Sequence, residues 1–229
     1  MQLKTYLGSR SPVSYIRGNW LKMQKIVIFG SGRGSNARAL IDYFNKSGSA
    51  QVVALVSDRP RRGFLDISYD YRINLEIIKG DELSDPKWIA HLKVMYRPDL
   101  LVLAGFLKLI PAALIAAYPD RIINLHPSLL PKYGGKGMYG MHVHKAVLDA
   151  DDAESGITIH VVNERYDEGT ILFQARCEVH KGDTAETLAQ RIHALEHLHL
   201  PEQVERYLLH PKSWNSPQNR QPLTSQVTI

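Results

Sequence analysis

The chain has 229 residues, a mass of 25.9 kDa, 44% hydrophobic residues and 22% charged ones, the profile of a globular protein with a sizeable core. No uninterrupted apolar run approaches a membrane span, and the single cysteine, Cys177, has no internal partner, so the expected setting is cytoplasmic with no membrane role. The net charge of +5 does not imply nucleic acid: Lys4, Arg10, Arg17 and Lys22 lie in an acid-free leader and supply four of the charges, leaving +1 elsewhere.

That leader lacks a central apolar block and is not a secretory signal. Its composition fits an organellar transit peptide or a plain extension, and residues 1–23 are expected to be a disordered extension ahead of the folded domain. A β-branched run at 25–29 predicts a first strand, ending in Gly30-Ser31-Gly32-Arg33-Gly34. A helix should follow from Asn36 to about Lys46, closed by Gly48. Strands are predicted at 52–56 and 74–78, then a helix opened by Asp85-Pro86 and running through Met95. A fourth strand at 99–103 leads into Ala104-Gly105-Phe106 and a helix near 111–117, and a fifth strand covers 121–125. Strands apolar throughout and alternating with helices indicate a parallel sheet covered on both faces. The expected class is therefore α/β, a Rossmann-like doubly wound, mostly parallel sheet with helices on both faces. Beyond residue 139 the pattern changes to a helix at 143–148, a half-exposed alternating strand at 157–162, a strand at 171–179 and a long helix over 184–209. Residues 24–209 are expected to form one domain, followed by a loosely docked tail over 210–229.

Two segments carry chemistry. The glycine loop permits a tight turn and aims backbone amides and a helix N-terminus at one point, a site for phosphate or another small anion. Read as a dinucleotide fingerprint it half fits, because Ser35 stands at the third glycine position while Asp58 ends the second strand, so a nicotinamide enzyme stays open. The fifth strand delivers Asn124 and His126 to its carboxyl end, on one side, since alternate residues of a strand share a face. An amide donor beside an imidazole suits oxyanion stabilisation and proton transfer. Asp167, after the His160 strand, could hold such an imidazole charged or relay a proton. His193, His197 and His199 lack the glutamate placement of a zinc-protease motif, and His142 with His144 is a weak signal, so no metal is expected.

Phe29 through Asn36, Leu103-Ala-Gly-Phe106, Ile123-Asn-Leu-His-Pro-Ser-Leu-Leu-Pro131 and the Asp167 loop occur in the order seen in the folate-dependent formyltransferases, and the glycine loop resembles the branch that accepts glycinamide ribonucleotide. The resemblance covers about residues 24–209. It implies transfer of a formyl group from 10-formyltetrahydrofolate to the primary amine of glycinamide ribonucleotide in purine (IMP) biosynthesis. Asn124, His126 and Asp167 would be catalytic. Gly32, Arg33, Gly34, Ser35, Asn36 and Glu196 would bind the phosphoribosyl amine. Phe106, Leu107, Lys108, Leu109, Ile110, Val161, Asn124 and Asp167 would bind the folate. It further implies small-molecule partners only, no tightly bound cofactor, and a monomer or homodimer. Three departures stand out: loop 134–140 is longer than the family's, with Lys136 a candidate for the folate tail or a phosphate; Glu168 replaces a usual glycine; and Lys108 replaces an arginine. A sister acceptor or a formyltetrahydrofolate hydrolase on the same fold is the alternative.

Overall fold

The computed structural model describes residues 23–59, 62–209 and 223–226. The leader therefore lies outside the described residues, apart from Met23. In chain order the elements are β1 (Gln24–Phe29), α1 (Ser35–Ser47), β2 (Ala50–Ser57), α2 (Arg62–Tyr71), β3 (Asn74–Ile77), a 3-10 turn (Glu82–Ser84), α3 (Pro86–Met95), β4 (Leu100–Leu103), α4 (Ala112–Ala117), β5 (Ile122–His126), α5 (Met141–Asp149), β6 (Glu154–Val161), β7 (Ile171–Glu178), α6 (Ala185–Leu209) and β8 (Leu223–Gln226). All eight strands join one sheet in the order β3-β2-β1-β4-β5-β6-β7-β8. Pairing is parallel from β3 to β5, antiparallel from β5 to β6 and from β6 to β7, and parallel again from β7 to β8.

Period-two alternation sorts the apolar strand residues between two cores. Ile26 and Ile28 of β1 pack with Ala37, Leu40 and Phe44 of α1, on the face that also carries Leu188, Ile192 and Leu195 of α6. Val27 and Phe29 pack with Ile89 and Leu92 of α3 and Leu114 of α4 on the opposite face. The local chemistry agrees with the fold: Asp85 caps α3 by accepting from the Lys87 N–H at 2.8 Å, ahead of Pro86 in the first turn.

The switch point lies between β1 and β4, where the strand order reverses. There the Ser31 N–H bonds the Gly105 carbonyl at 3.0 Å, tying the turn after β1 to the turn after β4. Beyond β5 the second face changes character. Ile122 packs with the α3 and α4 core, so Asn124 and His126 share its face, and antiparallel register sets His160 and Thr158 directly beside them.

Three segments differ from or add to the expected elements. The strand expected to be half-exposed, β6, is buried on both faces, because loop 127–133 lies over its polar side: Thr158 is 0% and His160 2% exposed. Within the tail expected to dock loosely, Leu223–Gln226 pairs in register with Phe173–Arg176 as an edge strand. Helix α2 was not expected; its Phe64 and Ile67, three residues apart, are fully buried.

Candidate functional site

A cleft of about 660 Å³ opens at the carboxyl ends of β1, β4 and β5. The structure brings the three expected catalytic residues together in it. Asn124 and His126 arrive on one face of β5, and Asp167 descends from the loop between β6 and β7. His126 is 4% exposed. Its Nε2 lies 2.8 Å from the Tyr133 carbonyl, which only accepts, so Nε2 carries the proton. Its Nδ1 faces Asp167 Oδ1 at 3.5 Å.

Burial pushes the His126 pKa below its ordinary value, against the opposing pull of Asp167 and the Tyr133 carbonyl. Asp167 thus favours the charged ring, as expected, but burial outweighs it, and the resting ring is neutral at neutral pH with its Nδ1 lone pair towards the carboxylate. Burial would raise Asp167, but His160, His126 and the Gly135 N–H outweigh it and hold the carboxyl below its ordinary range. The Gly135 N–H donates to Asp167 Oδ2 at 2.8 Å, and Asp167 sits in the left-handed region at φ 57°. Loop 134–140 must approach closely to do this. A Cβ at Gly134 would stand 2.6 Å from Leu130 Cδ2 and 3.2 Å from Asp167 Cβ.

His160 is a residue that sequence reasoning passed over. Its Nδ1 lies 3.0 Å from the Val161 carbonyl and must donate there, leaving Nε2 to accept from Asn124 Nδ2 at 3.0 Å. The same Nδ2 reaches Asp167 Oδ1 at a long 3.4 Å. Asn124 is thus oriented by one good hydrogen bond and keeps a second N–H only loosely engaged. His144 was dismissed as weak, yet it lines the cleft, 2% exposed, with Nδ1 unpartnered and its pKa pushed down by burial to about 4.

The glycine loop, which lines the cleft, opens α1. Gly34 occupies the N-cap position at φ 79° with no side-chain cap, so the first amides of the helix point into the cleft uncapped. Gly32, Arg33, Gly34, Ser35 and Asn36 all line it. Asn36 Nδ2 donates to Glu196 Oε2 at 2.9 Å, while Asn36 Oδ1 is buried without a partner. Glu196, on α6, is 6% exposed, and desolvation pushes its pKa up to about 7.

Phe106, Leu107, Lys108, Leu109 and Ile110 form a wall of the cleft. Phe106 is anchored edge-on against Phe29 at 5.5 Å, and the Leu107 N–H donates to Ser31 Oγ at 3.1 Å, joining wall to glycine loop. Lys108 Nζ donates to the Gly80 carbonyl at 3.1 Å. Val161 does not line the cleft: it packs on the core beneath α1 and α6, and Val162 takes the position instead, because neighbours in a strand face opposite ways. Lys136 lines the cleft, whereas Glu168 is exposed, pairs with Arg165 at 3.2 Å and does not. Among the described residues no group of three or more His, Cys, Asp or Glu is placed to hold a metal ion, and no helix is long and apolar enough to cross a membrane.

Residues 24–204 match the model of the formyl transferase family. The chain is 41% identical over 183 residues to the chloroplastic phosphoribosylglycinamide formyltransferase of Arabidopsis thaliana, across 77% of this chain and 62% of that relative. It therefore spans under two thirds of that plant protein's length. It is 33% identical over 192 residues to the Bacillus subtilis phosphoribosylglycinamide formyltransferase, covering 81% of this chain and 95% of the relative. The crystal structure of the Anaplasma phagocytophilum phosphoribosylglycinamide formyltransferase superposes with a TM-score of 0.74 at 33% identity, over 82% of this chain and 88% of the other.

Proposed function

The chain belongs to the formyl transferase family, and from that premise we propose that it moves the formyl group of 10-formyltetrahydrofolate onto the primary amine of glycinamide ribonucleotide, a step of purine (IMP) biosynthesis. The observation that carries this reading is that Asn124, His126 and Asp167 line one cleft together with an uncapped helix N-terminus suited to phosphate and an apolar wall suited to a pterin.

The amine attacks the formyl carbon in its neutral form, and the carbonyl oxygen takes up negative charge as the new C–N bond forms. Asn124 supplies the N–H for that oxygen. Its bond to His160 fixes the amide plane, and the loose 3.4 Å contact to Asp167 is the one exchanged for the oxyanion. The attacking nitrogen then carries an excess proton. Asp167 and the free Nδ1 of His126 form a coupled acceptor for it, and an imidazolium formed in transit is stabilised by the adjacent carboxylate. The proton is delivered to the folate nitrogen as its bond to the formyl carbon breaks, which leaves a formamide and tetrahydrofolate.

Acceptor binding rests on the amides of residues 32–36 for phosphate and on the Asn36–Glu196 pair for a sugar hydroxyl. The unpartnered Asn36 Oδ1 supports that assignment, because a hydroxyl donor would satisfy it. The folate lies along Phe106, Leu107, Lys108, Leu109 and Ile110 with Val162 in place of Val161, and Lys136 faces its acidic tail. The reading calls for small-molecule partners, no tightly bound cofactor and no metal. It places the chain, as monomer or homodimer, in a reducing compartment such as the cytoplasm, in keeping with a lone buried thiol.

A folate absorbance assay with 10-formyltetrahydrofolate, run with and without glycinamide ribonucleotide, tests it. Release of tetrahydrofolate that requires the ribonucleotide is expected. Release without any amine would replace the reading with a hydrolase, and no release in either tube would overturn the acceptor.

A further inference from the structure

The face of the sheet that carries Asn124 and His126 continues as a buried polar row through Thr158 of β6 and Gln174 of β7, neither of which lines the cleft. Register pairs His126 of β5 with Thr158 of β6, and Thr158 with Gln174 of β7. Thr158 is 0% exposed, Gln174 6% and Ser128 0%. A catalytic row would end at His126, and a purely structural sheet would fill these places with Val or Leu, as its opposite face does. Their hydrogen bonds explain the choice.

The Thr158 hydroxyl is fully used. It donates to the Ser128 carbonyl at 2.7 Å and accepts from the Leu130 N–H at 3.0 Å and from Gln174 Nε2 at 2.9 Å. Gln174 Nε2 also donates to the Leu130 carbonyl at 3.0 Å. Ser128 Oγ in turn donates to the Lys132 carbonyl at 2.7 Å, and the Lys132 N–H closes on the Leu129 carbonyl at 3.1 Å. All of these contacts but the bond between Gln174 and Thr158 hold the backbone of loop 128–132. That loop ends at Tyr133, held in the left-handed region at φ 56°, with its hydroxyl donating to Asp152 Oδ2 at 2.8 Å. The Tyr133 carbonyl is the group that accepts the hydrogen bond from His126 Nε2–H.

We propose that Thr158 and Gln174 are positioning residues for His126: they fix loop 128–132 so that the Tyr133 carbonyl holds the imidazole in its Nε2–H tautomer, with Nδ1 open to Asp167. Asp167 faces Nδ1, the opposite nitrogen, and does not supply this acceptor, while His160 acts on the ring only by its charge. A ring free to swap tautomers would place its N–H, not its lone pair, towards the carboxylate for part of the time. The kinetic part of the inference rests on the formyl-transfer reading, but the tautomer itself does not, and it is read without substrate.

The test is the side-chain nitrogen NMR spectrum of 15N-histidine-labelled full-length protein, with His126 assigned from the signal lost in His126→Gln. The unmodified protein should show His126 as a single Nε2–H tautomer. An Nδ1–H tautomer there overturns the proposal before any further variant is made. Thr158→Val, which keeps shape and removes the hydroxyl, should show mixed or averaged tautomers. It should lose kcat by about tenfold, with both KM values held within about twofold. Thr158→Ser should restore both readouts. Gln174→Met is the second, milder variant and should move both in the same direction. Unchanged His126 nitrogen signals in the folded variants, or a fall in kcat with the tautomer intact, would reduce the row to sheet packing.

Discussion

At the scale of single residues, Asn124 and Glu196 make opposite bargains with burial. Asn124 spends one N–H on His160 and leaves the other for charge that develops only during reaction. Removing an oxyanion donor of this kind costs about 3–4 kcal/mol. Asn124→Ala is therefore expected to lower kcat on the order of a hundredfold or more in the folate absorbance assay, and near-normal turnover would remove it from the mechanism. Glu196 is a carboxyl taken out of water with one amide partner, and its pKa of about 7 stands above the ordinary 4.5. Because the folded value is the higher one, its contribution to stability is complete below the ordinary value and lost as pH rises through 7. Glu196→Gln should accordingly raise Tm by roughly 4 °C at mildly alkaline pH and much less in acid. The same change should raise the KM for the phosphoribosyl acceptor by about tenfold. A variant that melts lower in alkali would show that the carboxylate is stabilised there after all.

At the scale of elements, the junction of β1 and α1 shows how a turn becomes a binding site. Gly34 holds a positive φ that disfavours any side chain, and a Cβ there would strike Ile67 Cδ1 of α2. The helix consequently begins without a side-chain cap, and its amides stay available to an anion. Gly34→Ala should destabilise the protein by about 1–2 kcal/mol, with a raised KM for the phosphorylated acceptor and little change in the KM for the folate. Equal effects on both substrates would locate the phosphate elsewhere. On the far side, β6 and β7 contribute a polar row where α/β sheets usually present apolar side chains, and loop 127–133, not a helix, covers it. Loop 134–140 then reaches Asp167 through the Gly135 amide, so the insertion is part of the site wall and of its carboxylate support.

At the scale of the whole molecule, acid tolerance is set by buried imidazoles. His126, His144 and His199 are all within 8% of full burial, and desolvation depresses each below the ordinary 6.5. A depressed histidine contributes stability above its unfolded pKa and loses it as pH falls towards the folded value, about 4 for His144. Glu196 works in the opposite sense over the upper part of that range, against these three rings and the less buried His193 and His197, which burial also depresses. Thermal melts at falling pH should therefore show Tm declining below pH 6.5, well above the range where carboxylates protonate. A flat or rising Tm over that interval would mean that these rings are solvated in the native state.

The sequence alone determined what depends on short-range periodicity: the five apolar strands, the helices between them, the glycine turn, and the shared side of Asn124 and His126, because a strand repeats every two residues whatever surrounds it. Family resemblance, not spacing, pointed to Asp167 and Glu196, which lie far along the chain from the residues they meet. Helix α2 was missed because Phe64 and Ile67 are the only fully buried pair one turn apart among its described residues, too short a pattern to mark a helix. What only the tertiary structure decided is pairing. The register of β5 on β6 makes His160 the partner of Asn124 and Thr158 the neighbour of His126, and a one-residue slip would have turned both away. The fold of loop 127–133 decides which nitrogen of His126 carries the proton, through a backbone carbonyl that no side-chain pattern encodes. Burial decides that the ring rests neutral, since the cost of charging it depends on the water excluded by the assembled sheet and loops.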